Sequence, residues 1–473
     1  MKKNVLLSSI LTIALCLSLV AGSTFALFTD SSFSEVKVNA GDVTMDANLA
    51  NLKLFSAQAD PNGEEFDENG KTYFYAPQTP QVDQNGNTIN LFSNGGTATI
   101  TEDLITLTNI TPGDKITFEL EGKNTSNVAI QYRYRIEVIE GFDLMSGCIF
   151  TVEGTKYPAM ASYDSKWANL AVGKNVEDND KIELALELPI SAGNYFQNLD
   201  AKIKLTVEAV QANADMSDTN MISVKYITSV NDITELASKL TSDEYLHIFL
   251  NSDLNKTLEV SEALSNKTID ADGHNLSIKL TGALENVVIT NVKDTEDETP
   301  AIIVTSSTSG DITVTNSTLY SGAKTPYGAF AGNGSSTSLD VTLENCVLTS
   351  GGDKYGLYLT NSNNVTVRDC TFDGFGSWAI IVNGTTAGNI TISGCTFENC
   401  AGILKTSIKG KDNWQTGSLN GNFTFANNTM VNCTMKDGTY MQIKNLAGTI
   451  TFSNNTLDGV VVTAEDMKGI VLP

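Results

Sequence analysis

Histidine and arginine are almost missing from this chain of 473 residues, which has only His247 and His274, and only Arg133, Arg135 and Arg368. The chain therefore has no H-E-x-x-H pair to carry a peptidase zinc, and it has no C-x-x-C to hold a structural one. Basic residues are outnumbered as well: 30 Lys and Arg against 55 Asp and Glu give a formal charge of −25. Such a surface repels phosphate backbones and anionic lipid, which argues against nucleic acid or acidic membrane as a partner. The low aromatic content, 8%, with abundant Gly, Asn, Thr and Ser, suits many short strands joined by turns. Beyond residue 20 no apolar run is long enough to span a bilayer.

The start of the chain predicts export. Lys2 and Lys3 precede an apolar run from Val5 to Val20 and the small-residue stretch AGSTFA at 21–26. This is the pattern of a secretory signal peptide cleaved near Ala26, which would leave an extracellular protein with no membrane segment. The length predicts two domains.

In the second half, seven segments share one pattern: VVITNV at 287–292, ITVTNS at 312–317, VTLENC at 341–346, VTVRDC at 365–370, ITISGC at 390–395, FTFANN at 423–428 and ITFSNN at 450–455. Their fifth position reads Asn291, Asn316, Asn345, Asp369, Gly394, Asn427 and Asn454, the residue types that best tolerate a left-handed backbone. Their sixth reads Val292, Ser317, Cys346, Cys370, Cys395, Asn428 and Asn455, all small or amide-bearing. Spacings of 24 to 33 residues indicate stacked coils. Alternating strands broken by a tight bend predict a parallel β-helix with about three short strands per coil. A leucine-rich repeat would need a helical or consensus-Leu half that is missing here.

Stacking at about 4.8 Å per coil makes each column a set of spatial neighbours. Cys346, Cys370 and Cys395 fall in one column, and Cys400 and Cys433 in another. Buried free thiols account for both columns, and a Cys400–Cys433 disulfide is the alternative for the second. No histidine accompanies either column, so neither reads as a metal site.

Between about 28 and 215 the pattern changes to longer strands, at 36–45, 104–110, 115–124, 129–139, 182–190 and 202–212, separated by turns such as Thr111-Pro112-Gly113-Asp114. Few helices and clear alternation predict an antiparallel β-sandwich. The block GSTFALFTDSS (22–32) with VNAGDVTM (38–45), the block NITPGDKITFELEGKNTSNVAIQYRYRI (109–136) and the closing NYFQNLDAKIKLTVEAVQAN (194–213) together resemble the TasA/camelysin family, exported through a SipW-type signal peptidase. The resemblance covers roughly residues 1–54 and 104–213. It implies a jelly-roll-like sandwich secreted by Gram-positive bacteria. In fibre-forming members the N-terminal strand of one subunit completes the sheet of the next, and the matching strand here is 27–43. Self-association through that strand, and folding back into its own domain, are both open. Camelysin is classed as a metallopeptidase, but this domain contains no histidine.

The expected organisation is a signal peptide at 1–26, a sandwich at 27–215 with an insertion at about 55–103, a linker at 216–224 and a right-handed β-helix at 225–473. Within the insertion, Asp60, Asn62 and Asp67 concentrate oxygen ligands as candidates for a calcium loop, but EF-hand spacing is not met, and Asn69-Gly70 reads more simply as a hairpin turn. Asp232 with Glu235 predicts a capped helix at the head of the β-helix, with Ile233, Leu236, Ala237 and Leu240 on one face. That order resembles the start of the pectin-lyase-like superfamily, which implies a polysaccharide lyase or glycosidase as one reading. Its catalytic groups are hard to find. Arg368 points outward beside the bend at Asp369. Gly273-His274-Asn275 matches a polygalacturonase motif only superficially, and Asp270 and Asp272 flank the same turn. Asp373 and Glu398, one coil apart, are the best carboxylate pair. Tyr355, Tyr358, Trp378, Trp414 and Tyr440 are candidates for stacking on sugar rings, but the favoured reading is that several of them cover the open side of the core. The balance favours a secreted, non-catalytic structural or adhesive protein without a cofactor, and polysaccharide is a candidate ligand.

Overall fold

The computed structural model describes residues 43–59, 66–68, 71–79, 81–82, 88–89, 91–178, 182–294, 300–322, 328–333, 338–383, 388–409, 414–416, 420–443 and 448–470. The chain divides into two compact units between Ile227 and Thr228. It passes from one to the other within strand Ser223–Val230, which begins inside the segment expected to be a linker.

The first unit is a sandwich of two antiparallel sheets. One runs in the order Thr155–Pro158, Ile149–Val152, Ile182–Glu187, Asp114–Asn124, Met45–Ala59, Lys71–Pro77 and Phe66–Glu68. In the other, Met160–Asp164, Ile130–Glu140, Ala201–Gln211, Leu104–Thr108 and Thr97–Thr101 are neighbours, and Ser223 to Tyr226 pair with Met160–Asp164. Alternation sets which side is buried. Ile116, Phe118 and Leu120 face Phe150, Leu184 and Leu186 in one sheet's inner surface, and Ile130, Tyr132, Tyr134 and Ile136 line the other. Phe118 meets Phe150 edge-on at 6.2 Å.

Described parts of the segment 55–103 join the two sheets. Phe55 to Ala59 continue a strand that pairs with Lys71–Pro77, and Thr97–Thr101 forms a hairpin with Leu104–Thr108. Phe66–Glu68 pairs with Lys71–Pro77 so that Glu68 faces Lys71 across the two residues Asn69-Gly70.

The turn at Thr111-Pro112-Gly113-Asp114 ties this unit together. Gly113 has φ +98°, a value that disfavours any side chain. Asp114, 3% exposed, accepts from Ser56 Oγ (2.8 Å), the Thr111 amide (2.8 Å), Thr111 Oγ1 (3.1 Å) and Asn94 Nδ2 (3.2 Å). Burial nevertheless raises its carboxyl above the usual range.

The second unit is a right-handed parallel β-helix with three faces. The first face stacks Tyr245–Leu250, Leu264–Asp270, Ala283–Thr290, Ser309–Thr315, Leu339–Glu344, Val365–Arg368, Ile390–Ser393, Phe423–Ala426 and Ile450–Ser453. The second stacks Thr318–Ser321, Val347–Ser350, Thr371–Asp373, Thr396–Glu398, Thr429–Val431 and Asn455–Leu457. The third runs from Leu254–Val260 to Met441–Gln442. Inward residues form one continuous core, in which Phe372, Phe397, Phe425 and Phe452 stack at 5.1 to 6.1 Å. Helix Ile233–Thr241 covers the first coil with Leu236 and Leu240 buried. Asp232 caps it by accepting from the amides of Thr234 and Glu235, while Glu235 reaches back to the Asn231 amide. At its other end, buried Lys267 donates to the carbonyls of Ser242 and Tyr245.

Candidate functional site

The repeated bend is the most regular feature of the second unit. Asn291, Asn316, Asn345, Asp369, Gly394, Asn427 and Asn454 all have φ between 49° and 65°. Each turns the chain from the first face into the second.

The residue after the bend does more than fill space. The Val292 amide donates to Ser317 Oγ (3.1 Å), the Cys346 amide to Cys370 Sγ (3.4 Å), the Cys395 amide to Asn428 Oδ1 (2.9 Å) and the Asn428 amide to Asn455 Oδ1 (3.0 Å). Four side chains of the column donate into the preceding coil: Cys346 Sγ to Val314 O (3.4 Å), Cys395 Sγ to Val367 O (3.6 Å), Asn428 Nδ2 to Ile392 O (3.1 Å) and Asn455 Nδ2 to Phe425 O (2.9 Å), whereas Ser317 Oγ and Cys370 Sγ donate to Thr315 O and Arg368 O of their own coils. Ser, Cys and Asn interchange in this column because each offers one donor and one acceptor within short reach. Asn428 and Asn455 do both, each satisfying a buried amide and a buried carbonyl of the preceding coil. Smallness alone had suggested a packing column.

A second bend column was not anticipated. Gly374, Asn399, Asn432 and Asp458 have φ between 49° and 79° and turn the chain out of the second face. Cys400 and Cys433 follow two of them, and their thiols donate to Phe372 O (3.5 Å) and Phe397 O (3.3 Å). Both are free thiols, so they stack without a disulfide. The repeated dipeptides Asn399-Cys400 and Asn432-Cys433, identical to Asn345-Cys346, carried the signal. Hydrogen bonding to Cys370, with burial, pushes the Cys346 thiol up, and burial does the same to Cys148; neither is an activated nucleophile.

Asp373 and Glu398 are register partners on adjacent strands of the second face. Asp373 Oδ1 accepts from Asn399 Nδ2 at 2.8 Å, which holds the second bend. Arg368 is exposed and pairs with Glu344 of the preceding coil at 2.8 Å. His274 Nδ1 lies 3.2 Å from Asp253 Oδ1. That carboxylate also takes the Asn275 amide, and these contacts hold it below the usual range. Asp270 accepts from the Asp272 amide (2.9 Å) and Asn291 Nδ2 (2.8 Å), with His247 Nε2 at 3.6 Å.

Among the aromatic candidates, Trp378 covers the core, as the favoured reading has it, and is 2% exposed. A Cβ at Gly402 would come within 2.7 Å of its ring, and Lys405 lies over it at 5.5 Å. Lys436 reaches back across the same corner to Gly376 O (3.1 Å) and Asp353 (3.3 Å). Tyr440 packs partly buried against the core. Tyr355 and Tyr358, 5.5 Å apart and both partly exposed, remain as a pair. Trp414 belongs to strand Trp414–Thr416, but its side chain lies outside the described residues.

Residues 1–26, expected to be a signal peptide, and all of the expected strand 27–43 except Val43 also lie outside the described residues, as do Asp60, Asn62 and the Asp67 side chain. Among the described residues, no group of three or more His, Cys, Asp or Glu is placed to hold a metal, and no helix is long and apolar enough to cross a membrane. A hollow of about 300 Å³ on the outer side of the first sandwich sheet is lined by Lys53, Lys115, Glu119 and Glu183, beside a bulge where Asn51 donates to Glu119 at 2.8 Å.

Residues 300–469 match the family described as right handed beta helix region. No curated protein and no solved structure matches the chain. The match spans the coils from Ile302–Thr305 to Ile450–Ser453 and agrees with the stacking seen there.

Proposed function

We propose that this chain is a secreted, non-catalytic structural or adhesive protein of a Gram-positive-type bacterium, working in the extracellular matrix or at the cell surface. The sandwich mediates assembly by strand addition, and the β-helix is the displayed part. One observation carries this reading. Three of the coil side chains weighed as catalytic candidates are engaged in holding the fold: Asp373 on Asn399, Arg368 on Glu344, and Asp270 on Asn291 and Asp272. The TasA/camelysin resemblance supports export and assembly through residues 27–43. Strand addition to an open sheet edge uses main-chain hydrogen bonds, and a contact given and received in one direction builds an open filament. Tyr355 and Tyr358 are the surface on which a glycan would stack.

Electron microscopy of the mature protein tests this proposal. Fibres are expected, and they should vanish when residues 27–42 are deleted. A mature protein that stays monomeric at all concentrations overturns it. A second reading, a polysaccharide-active enzyme, draws on the in-register carboxylates Asp373 and Glu398. Release of reducing ends or unsaturated products from acidic polysaccharide, lost in Asp373→Asn, would favour it.

A further inference from the structure

The turn that ties the first unit together also brings three reactive groups into contact. Thr111 to Asp114 form a turn closed by the Asp114 amide on Thr111 O (2.9 Å), with Pro112 and Gly113 at its centre. It carries a hydroxyl at one corner and a carboxylate at the other. A second tight turn, Phe92 to Gly96, is closed by the Phe92 amide on Gly96 O (2.8 Å) and the Gly95 amide on Phe92 O (3.0 Å). Gly96 lets the two segments meet, because a Cβ there would lie 2.4 Å from Asn109 O. Asn94 thereby brings its carboxamide to Thr111.

Each group has the partners that acyl transfer needs. Asn94 Nδ2 lies 2.5 Å from Thr111 Oγ1. The carboxamide carbon is one amide bond further, so it is at most about 3.8 Å from the hydroxyl oxygen, close to the separation from which bonds form. The Gly96 amide donates to Asn94 Oδ1 (3.0 Å), which turns the nitrogen toward Thr111 and supplies a donor where negative charge would collect. The two oxygens of Asp114 divide the work. Ser56 Oγ holds Oδ1 (2.8 Å), while Oδ2 accepts from Thr111 Oγ1 (3.1 Å), Asn94 Nδ2 (3.2 Å) and the Thr111 amide (2.8 Å). One oxygen therefore touches both the nucleophile and the leaving group. Burial raises this carboxyl above the usual range, which brings it nearer to proton exchange at neutral pH. Asn94 itself is exposed, so ammonia has a way out.

We propose that Thr111 and Asn94 join in an ester, formed by the folded chain on itself with Asp114 as the base. Thr111 Oγ1 attacks Asn94 Cγ while its proton passes to Asp114 Oδ2. The Gly96 amide holds the oxyanion that develops on Oδ1. Asp114 then gives the proton to Nδ2, the Cγ–Nδ2 bond breaks and ammonia leaves. One C–O bond replaces one C–N bond, no oxidant or second substrate is used, and escape of ammonia into solvent makes the step one-way. The ester closes the hairpin of Thr97–Thr101 with Leu104–Thr108 at the point where the chain crosses to Asp114–Asn124 in the other sheet. Among the described residues this unit has one cysteine, Cys148, a free thiol, so no disulfide does that task. The inference does not depend on the assembly reading above.

Mass spectrometry of the purified mature chain tests the bond. The chain is expected to be lighter than its sequence by one ammonia. After denaturation and cleavage behind Glu102, the fragments that hold Asn94 and Thr111 should stay joined, and mild alkali should part them. Thr111→Val and Asp114→Asn, each checked for folding by circular dichroism, should give the full mass and separate fragments. Thr111→Ser should keep the link. Full mass with separate fragments in the wild type overturns the inference. Ammonia loss that persists in Thr111→Val, with the fragments separate, overturns it too, since Asn94 has then closed on Gly95. Fragments that stay joined in folded Asp114→Asn overturn the role given to Asp114.

Discussion

The sandwich and the β-helix respond differently to damage because they satisfy their backbones differently. In the sandwich, one turn gathers groups from distant parts of the chain: Asp114 binds Ser56, Asn94 and Thr111 at once. In the β-helix the same small task is repeated coil after coil, each time between neighbours only. The first arrangement concentrates stability in a few irreplaceable residues. The second spreads it along a column, as expected of a quasi-one-dimensional stack.

The largest effect should come from Asp114→Ala, which strands several buried donors and should cost the sandwich about 3 kcal/mol. Hydrogen exchange should show the loss across 104–124 with the coils unaffected. If the coils loosen equally, the contrast between the units fails. Next comes Asn428→Leu, which leaves the Cys395 amide and the Ile392 carbonyl unpaired and should cost about 2 kcal/mol. Asn428→Cys should cost less than about 1 kcal/mol, because a thiol keeps a donor and an acceptor there. Equal losses in the two variants, measured by urea unfolding, would reduce the column to mere packing.

Smaller again is Asn427→Ala, at about 1 kcal/mol for the left-handed backbone, with Asn427→Gly close to neutral. The last test uses pH. Burial raises the Asp114 carboxyl in the fold, so the folded chain binds its proton more tightly than the unfolded one. That contribution is complete below the unfolded value, about 3.9, and is lost as pH rises through the folded one. Wild type should therefore gain stability relative to Asp114→Asn as pH falls from neutral through this window. An unchanged difference would mean that the hydrogen bonds cancel burial, and a loss of stability on acidification that they outweigh it.

The first bend column was legible because Asn, Asp and Gly recur beside a clean alternation of inward residues. The second column was not, since only three-residue strands such as Thr371–Asp373 precede it and three residues show no period. Strand Met45–Ala59 escaped for a related reason. The register shift between Ala50 and Lys53, with Asn51 at φ 56°, reverses the alternation partway along the strand. Which of the corner aromatics cover the core was not legible, because what covers Trp378, Gly402 and Lys405, comes from the next coil. Local pattern shows where a strand lies, but burial at a corner depends on loops that pattern does not describe.

The backbone amides behind the first bend all donate one way along the stack. Val292, Cys346, Cys395 and Asn428 each donate forward, to a side chain 24 to 33 residues later. A coil formed without its successor thus holds a buried amide with nothing to bind. In a chain delivered from its N-terminus, each coil is finished only by the next, so winding has a built-in direction and any premature stop leaves a raw end.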